Sequence, residues 1–115
     1  MSRLHLSAHR HSTSEVDLVG WLAFEDAGWS YVVQAKSVQG DTLHVDLIVM
    51  RTNREAAKVP YQMSINARLP LTETVTKLVV HVKMRLRSTD LQGKPIYLSL
   101  HIGASTPNPH PVDIT

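Results

Sequence analysis

The 115-residue chain predicts an all-β fold, a two-sheet sandwich of about seven antiparallel strands. Three observations carry this. Apolar and polar residues alternate with a period of two over most of the chain, the pattern of a strand with one buried face. The alternating runs are short, with turn-forming stretches such as Gln39-Gly40-Asp41 between them. Length and composition suit one hydrophobic core, since 43% of residues are apolar and 19% charged.

The first quarter is the most ambiguous part. Leu4, Leu6 and Ala8 fit a short strand, and Val16 to Phe24 fit another, joined to Trp29 by Glu25-Asp26-Ala27-Gly28. The rival is an α+β fold with a helix near 13–26: Ser12 and Glu15 have capping-box spacing, and Leu18, Trp21 and Leu22 would share a helix face. Gly20 in mid-helix and acidic residues at the C-terminal end oppose it, so the strand is preferred.

From Trp29 onward the alternation is regular. Trp29, Tyr31, Val33 and Ala35 form one apolar face, and Leu43, Val45, Leu47 and Val49 form another in the run Thr42 to Arg51. A three-residue loop at Gln39-Gly40-Asp41 would set Val38 opposite Thr42, Val33 opposite Leu47 and Tyr31 opposite Val49, which matches the faces. A simple two-residue turn would send half the core to solvent. Lys58 to Leu69 follows with Val59, Tyr61, Met63, Ile65, Ala67 and Leu69 on one side, and Pro60 marks an edge strand or a strand start.

Lys77 to Arg87 is the cleanest strand, with Leu78, Val80, Val82, Met84 and Leu86 inward. After a turn over Ser88 to Lys94, Pro95 to Ile102 places Ile96, Leu98, Leu100 and Ile102 inside. Seven such strands at this spacing suit an immunoglobulin/fibronectin-like sandwich, although the Cys and Trp spacing of antibody domains is missing. The single domain spans 1–102, and 103–115, with Pro107, Pro109 and Pro111, reads as an extended tail.

Composition narrows function. The formal charge is only +2 and the pI about 9.2, which points to no particular partner. Without Cys there is no disulfide framework, thiolate metal site or cysteine nucleophile. No apolar stretch approaches the roughly 20 residues that span a bilayer. The N-terminus lacks the apolar core of a signal peptide, so the chain reads as cytoplasmic as written, or as periplasmic or secreted if a leader was removed.

The most distinctive feature is a cationic stripe. Lys77, His81, Lys83, Arg85 and Arg87 point outward along about 33 Å of strand. With Leu86 opposite Ile96 in the hairpin, Arg85 faces Tyr97, Lys83 faces Ser99 and His81 faces His101. The candidate binding residues are therefore Lys77, His81, Lys83, Arg85, Arg87, Tyr97 and His101. Such a surface suits an acidic protein partner or a phosphate backbone with Tyr97 for stacking. The simpler reading, and the preferred one, is a solvated strand face whose charges keep the sheet soluble and discourage edge aggregation.

Glu15, Asp17, Glu25 and Asp26 lie in a segment without Lys or Arg, so self-association with another copy's stripe or intramolecular charge complementarity follows. Seven His residues raise a metal reading; His5, His9 and His11 would share a face of an extended terminus. His81 and Met84 have opposite parity and His44 and Met50 lie about 20 Å apart, so neither forms a chelate. No metal or cofactor is expected. There is no Gly-x-Ser-x-Gly, His-Glu-x-x-His or glycine-rich phosphate loop, so catalysis is not expected either. Trp21 and Trp29 flank the acidic turn, as core-edge residues or as an exposed aromatic pair.

Leu43 to Ile102 loosely resembles the immunoglobulin-like periplasmic proteins that restrain curli-subunit aggregation. The likeness rests on a strand ending in Arg51, a polar connection through Asn53 and Arg54, and Met63 to Leu69 leading to Lys77-Leu78. The Cys-x-Cys sometimes found in that group is missing, so no redox role carries over. The leading expectation is a non-catalytic protein-binding or accessory module that uses a strand edge or the basic strand face. Anion or nucleic-acid binding, a curli-type chaperone and a His-based metal binder are the alternatives.

Overall fold

A computed structural model describes residues 3–25, 27–51, 59–85, 91–102 and 112–113. It contains strands β1 (Arg3–Arg10), β2 (Glu15–Phe24), β3 (Trp29–Gln39), β4 (Thr42–Arg51), β5 (Tyr61–Pro70), β6 (Lys77–Arg85), β7 (Leu91–His101) and β8 (Val112–Asp113). The fold is all-β, a sandwich of seven long strands and one two-residue strand. The first sheet has the order β5-β2-β1-β8 and the second β3-β4-β6-β7. The alternative helix near 13–26 does not form. β2 occupies that segment, because Val16, Leu18, Leu22 and Phe24 recur at even positions and bury one face, a period no helix can match.

The core lies between the sheets. Leu4, Leu6, Val16, Leu18, Leu22, Phe24 and Ile65 come from the first; Leu43, Val45, Leu47, Val49, Leu78, Val80 and Val82 come from the second. Each such side chain contributes roughly 1.5–3 kcal/mol when fully buried, so a one-residue slip in any central strand is prohibitive.

Among the described residues, one pair of strands departs from an all-antiparallel sandwich, besides an isolated parallel bridge between Ala8 and Ile102. β4 and β6 are parallel, with Thr42 beside Lys77 and Met50 beside Arg85. The chain leaves the second sheet after β4, crosses to the first as β5 and returns as β6 in the direction of β4. In the constant-type immunoglobulin arrangement the fourth strand belongs to the opposite sheet. Here it lies between the third and the sixth.

Two registers are corrected. In the β3–β4 hairpin, Val33 faces Leu47 and Tyr31 faces Val49 as the faces require, but Val38 faces Leu43 and Gln39 faces Thr42. The turn is therefore the two residues Gly40 and Asp41, with Gly40 at φ 63°, and the compensating extra residue is a bulge at Lys36. In the β6–β7 hairpin, His81 faces Tyr97, Val79 faces Ser99 and Lys77 faces His101, a slip of four residues that keeps every face. β7 begins at Leu91 rather than Pro95, and an irregularity between Val82 and Met84 sets Met84 against Gln92. Part of the expected turn over Ser88 to Lys94 is thus strand, while 88–90 fall outside the described residues.

Edges behave as Pro60 implied, since β5 is the edge strand of the first sheet and begins one residue after it. The Tyr31 hydroxyl reaches across from β3 and accepts the Asn66 N–H at 3.2 Å, occupying one donor of that edge. Within the tail, Val112 and Asp113 pair with Leu4 and Arg3. Residues 103–111 lie outside the described residues, as do Asn53, Arg54 and Asp26.

Candidate functional site

The outer face of the second sheet gathers the stripe, and the topology changes its character. β6 lies between β4 and β7, so Lys77, His81, Lys83 and Arg85 point outward but are half-buried among neighbouring side chains. The stripe does not line a sheet edge, because β6 is an interior strand. Arg87 lies outside the described residues. Tyr97 and His101 are exposed on β7, and Tyr97 retains 62% of its accessible surface.

Asp46 is the residue that reorganises this face. It stands on the outward side of β4 between Val45 and Leu47, yet only 3% of it is exposed, because side chains from both flanking strands close over it. Lys83 Nζ donates to Asp46 Oδ2 at 3.1 Å, and Lys36 Nζ lies 3.4 Å from the same oxygen. The bulge supplies Lys36, and the parallel register supplies Lys83 two residues beyond Asp46's direct neighbour, His81. A buried carboxylate needs such partners, since uncompensated desolvation of a charge is costly. The stripe's central cation is therefore already matched.

Beside the ion pairs, His44 Nδ1 and His81 Nε2 approach to 3.1 Å, one ring donating to the other. The His81 ring also meets Tyr97 edge to face at 4.7 Å between centroids. The convergence of His44 and Asp46 with β6 escaped the sequence reading because β4 and β6 are separated by a whole strand of the other sheet, and Lys36 joins them through a bulge that alternation does not locate. One signal was present: an Asp inside the apolar run Val45 to Val49 is a poor strand residue unless something receives it.

The first sheet treats its charges differently. On its outer face Arg68 Nε and Nη2 donate to Asp17 Oδ1 and Oδ2 at 2.9 and 3.4 Å, and His11 lies 3.7 Å from Asp17. The hydrogen bond from Arg68 lowers the Asp17 pKa below the ordinary carboxylate value, with the charges of Arg68, His11 and His9 adding to it against some desolvation. The same bond raises Arg68 above its ordinary value. Asp17, from the acidic segment, thus meets Arg68 rather than the stripe.

The remaining sequence candidates separate. Trp21 stacks on His5 on the outer face at 5.8 Å, whereas Trp29 stacks on Phe24 at the core edge at 4.3 Å, so the two Trp do not form one aromatic patch. His9 bonds to Ser7 and His11 turns to Asp17. Among the described residues, no group of three or more His, Cys, Asp or Glu is placed to hold a metal ion. No helix among them is long and apolar enough to cross a membrane. The β3 bulge also opens a mainly apolar groove of about 370 Å³, lined by Val38, Leu43 and Leu71 among others.

No protein family, curated protein or solved structure matches this chain. The class its architecture defines is a β-sandwich with a parallel pair at the centre of one sheet.

Proposed function

We propose that the protein is a non-catalytic protein-binding module whose contact surface is the outer face of the second sheet. The observation that carries this is Tyr97: a large aromatic at 62% exposure on β7, braced edge-on by His81. Exposed aromatics with cationic neighbours are the residues on which interfaces concentrate binding energy. The cations of β6 lie along one side of that anchor, which favours a partner with acidic residues beside an apolar centre.

Two details favour the face over a strand edge and a protein over nucleic acid. Tyr31 occupies an edge donor of β5, and the bulge at Lys36 interrupts the β3 edge, a device that discourages strand addition. Lys83 and Lys36 share the Asp46 charge, which weakens the continuous positive track a phosphate backbone would follow. A chaperone of fibre subunits is the narrower version suggested by the curli-type resemblance. The position of β4 between β3 and β6 gives that narrower version no added support.

The test is affinity capture from the source organism's lysate at low and at high salt, with wild type compared with Tyr97→Ala and Lys77→Glu. Both variants should lose the captured protein. Equal capture by all three would remove this face from consideration. Lys83 is a poor site for charge reversal, because a glutamate there would face Asp46 and disturb folding.

A further inference from the structure

We infer that His44 and His81 form a two-imidazole site for a borderline divalent transition-metal ion of the Cu2+ or Zn2+ class. The juxtaposition is specific: adjacent parallel strands bring His44 Nδ1 and His81 Nε2 to 3.1 Å, each ring offering the other a nitrogen. Two nitrogens each about 2.05 Å from one ion lie about 3.3 Å apart at the tetrahedral angle and about 2.9 Å apart at a right angle. The observed separation falls between these values. A small rotation of either ring about its side-chain torsions, with the shared proton passing through water to the other nitrogen of the ring that donated it, therefore turns both facing lone pairs onto a metal ion without moving the strands.

The surroundings allow the exchange. Both imidazoles are half-buried on an interior part of the sheet, held by β-strand backbone rather than by a terminus. Tyr97 braces His81 from one side. Lys36 and Lys83 are both turned onto Asp46, whose carboxylate offsets one of the two ammonium charges close to the pair. The chain supplies two ligands among its described residues, and water completes the shell, as at an open coordination site. Among the other described histidines, His5 is stacked on Trp21, His9 and His11 have polar partners of their own, and His101 is exposed on β7 opposite Lys77.

Isothermal titration of the full-length, tag-free chain with ZnCl2 and CuCl2, with MgCl2 as the control, tests the site. One ion per chain is expected, with affinity at least about tenfold weaker in His44→Gln and in His81→Gln, the size of loss that even an outer-shell change causes. His9→Gln and His11→Gln should bind like wild type. Unchanged affinity in both His44→Gln and His81→Gln, or no Zn2+ or Cu2+ binding by wild type, overturns the assignment. Should a variant misfold, histidine ring resonances of wild type during a Zn2+ titration decide the matter. Shifts at His44 and His81 uphold the site, and shifts confined to any of the other five histidines defeat it.

Discussion

Each sheet carries, in the middle of an interior strand, a residue that strands ordinarily avoid: Gly20 in β2 and Asp46 in β4. The two have opposite causes. Gly20 lies between Leu6 and Ile65 on the neighbouring strands, and a Cβ added there would overlap the backbone carbonyl of His5. Asp46 has ample backbone room but is covered on the outer face, where Lys36 and Lys83 converge on it. The first irregularity is a requirement of chain packing. The second is the centre of a polar cluster, and the comparison teaches that a local misfit in a strand pattern identifies a constraint without naming its kind.

Substitution separates the two. Gly20→Val should have the largest effect, a loss of about 3 kcal/mol or more, because the obstacle is backbone and β1 must move to relieve it. Urea unfolding of purified protein measures this, and a loss under about 1 kcal/mol would show that β1 yields easily. At the second sheet the asymmetry of a buried pair applies. Lys83→Met leaves the Asp46 carboxylate with only the half-exposed Lys36 and should cost about 1–3 kcal/mol. Asp46→Leu removes the buried charge and frees both lysines toward solvent, so it should cost less than Lys83→Met. The reverse order would mean that Asp46 is held by something other than its lysines.

Much of the fold was legible in the sequence, and what was missed has a physical pattern. Alternation specifies which face of each strand is buried, so the inward sets around Val45, Val80 and Leu98 could be read directly. It is indifferent to slips by an even number of residues, and the β6–β7 register moved by four. It is equally silent on where an extra residue is absorbed, so the β3–β4 bulge fell at Lys36 instead of in the turn. The parallel neighbour of β6 is not a local property at all. Because Asp46, Lys36 and His44 reach the site only through that neighbour and that bulge, the sequence revealed the stripe's cations but not their counter-charge.

A smaller effect contrasts the exposed and the buried carboxylate. Folding lowers the Asp17 pKa, so the unfolded chain binds more protons there in mild acid, and the stabilisation from Asp17 is complete above its unfolded value of about 3.9. It fades as the pH falls through the lower folded value. Asp17→Asn and Arg68→Gln should each lower neutral stability slightly and flatten the acid side of the profile by that same small amount, since the pair is largely solvent-screened. Urea midpoints at pH 7 and pH 3 give the comparison. A wild-type profile that matches both variants would show that the Arg68 contact does not persist in solution.

The smallest change in stability is expected at Tyr97, and for that reason it discriminates best between structure and function. Its ring is mostly exposed and touches His81 only by an edge, so Tyr97→Ala should alter unfolding free energy by no more than about 0.5 kcal/mol. Under the proposed function, Tyr97 spreads an aromatic surface beside β6 that serves a partner rather than the fold. Loss of partner capture with unchanged urea midpoint would assign the outer face of the second sheet to binding. Retention of capture with lowered stability would instead make Tyr97 a cover for the His44–His81 contact, and the search would move to the groove beside Val38 and Leu71.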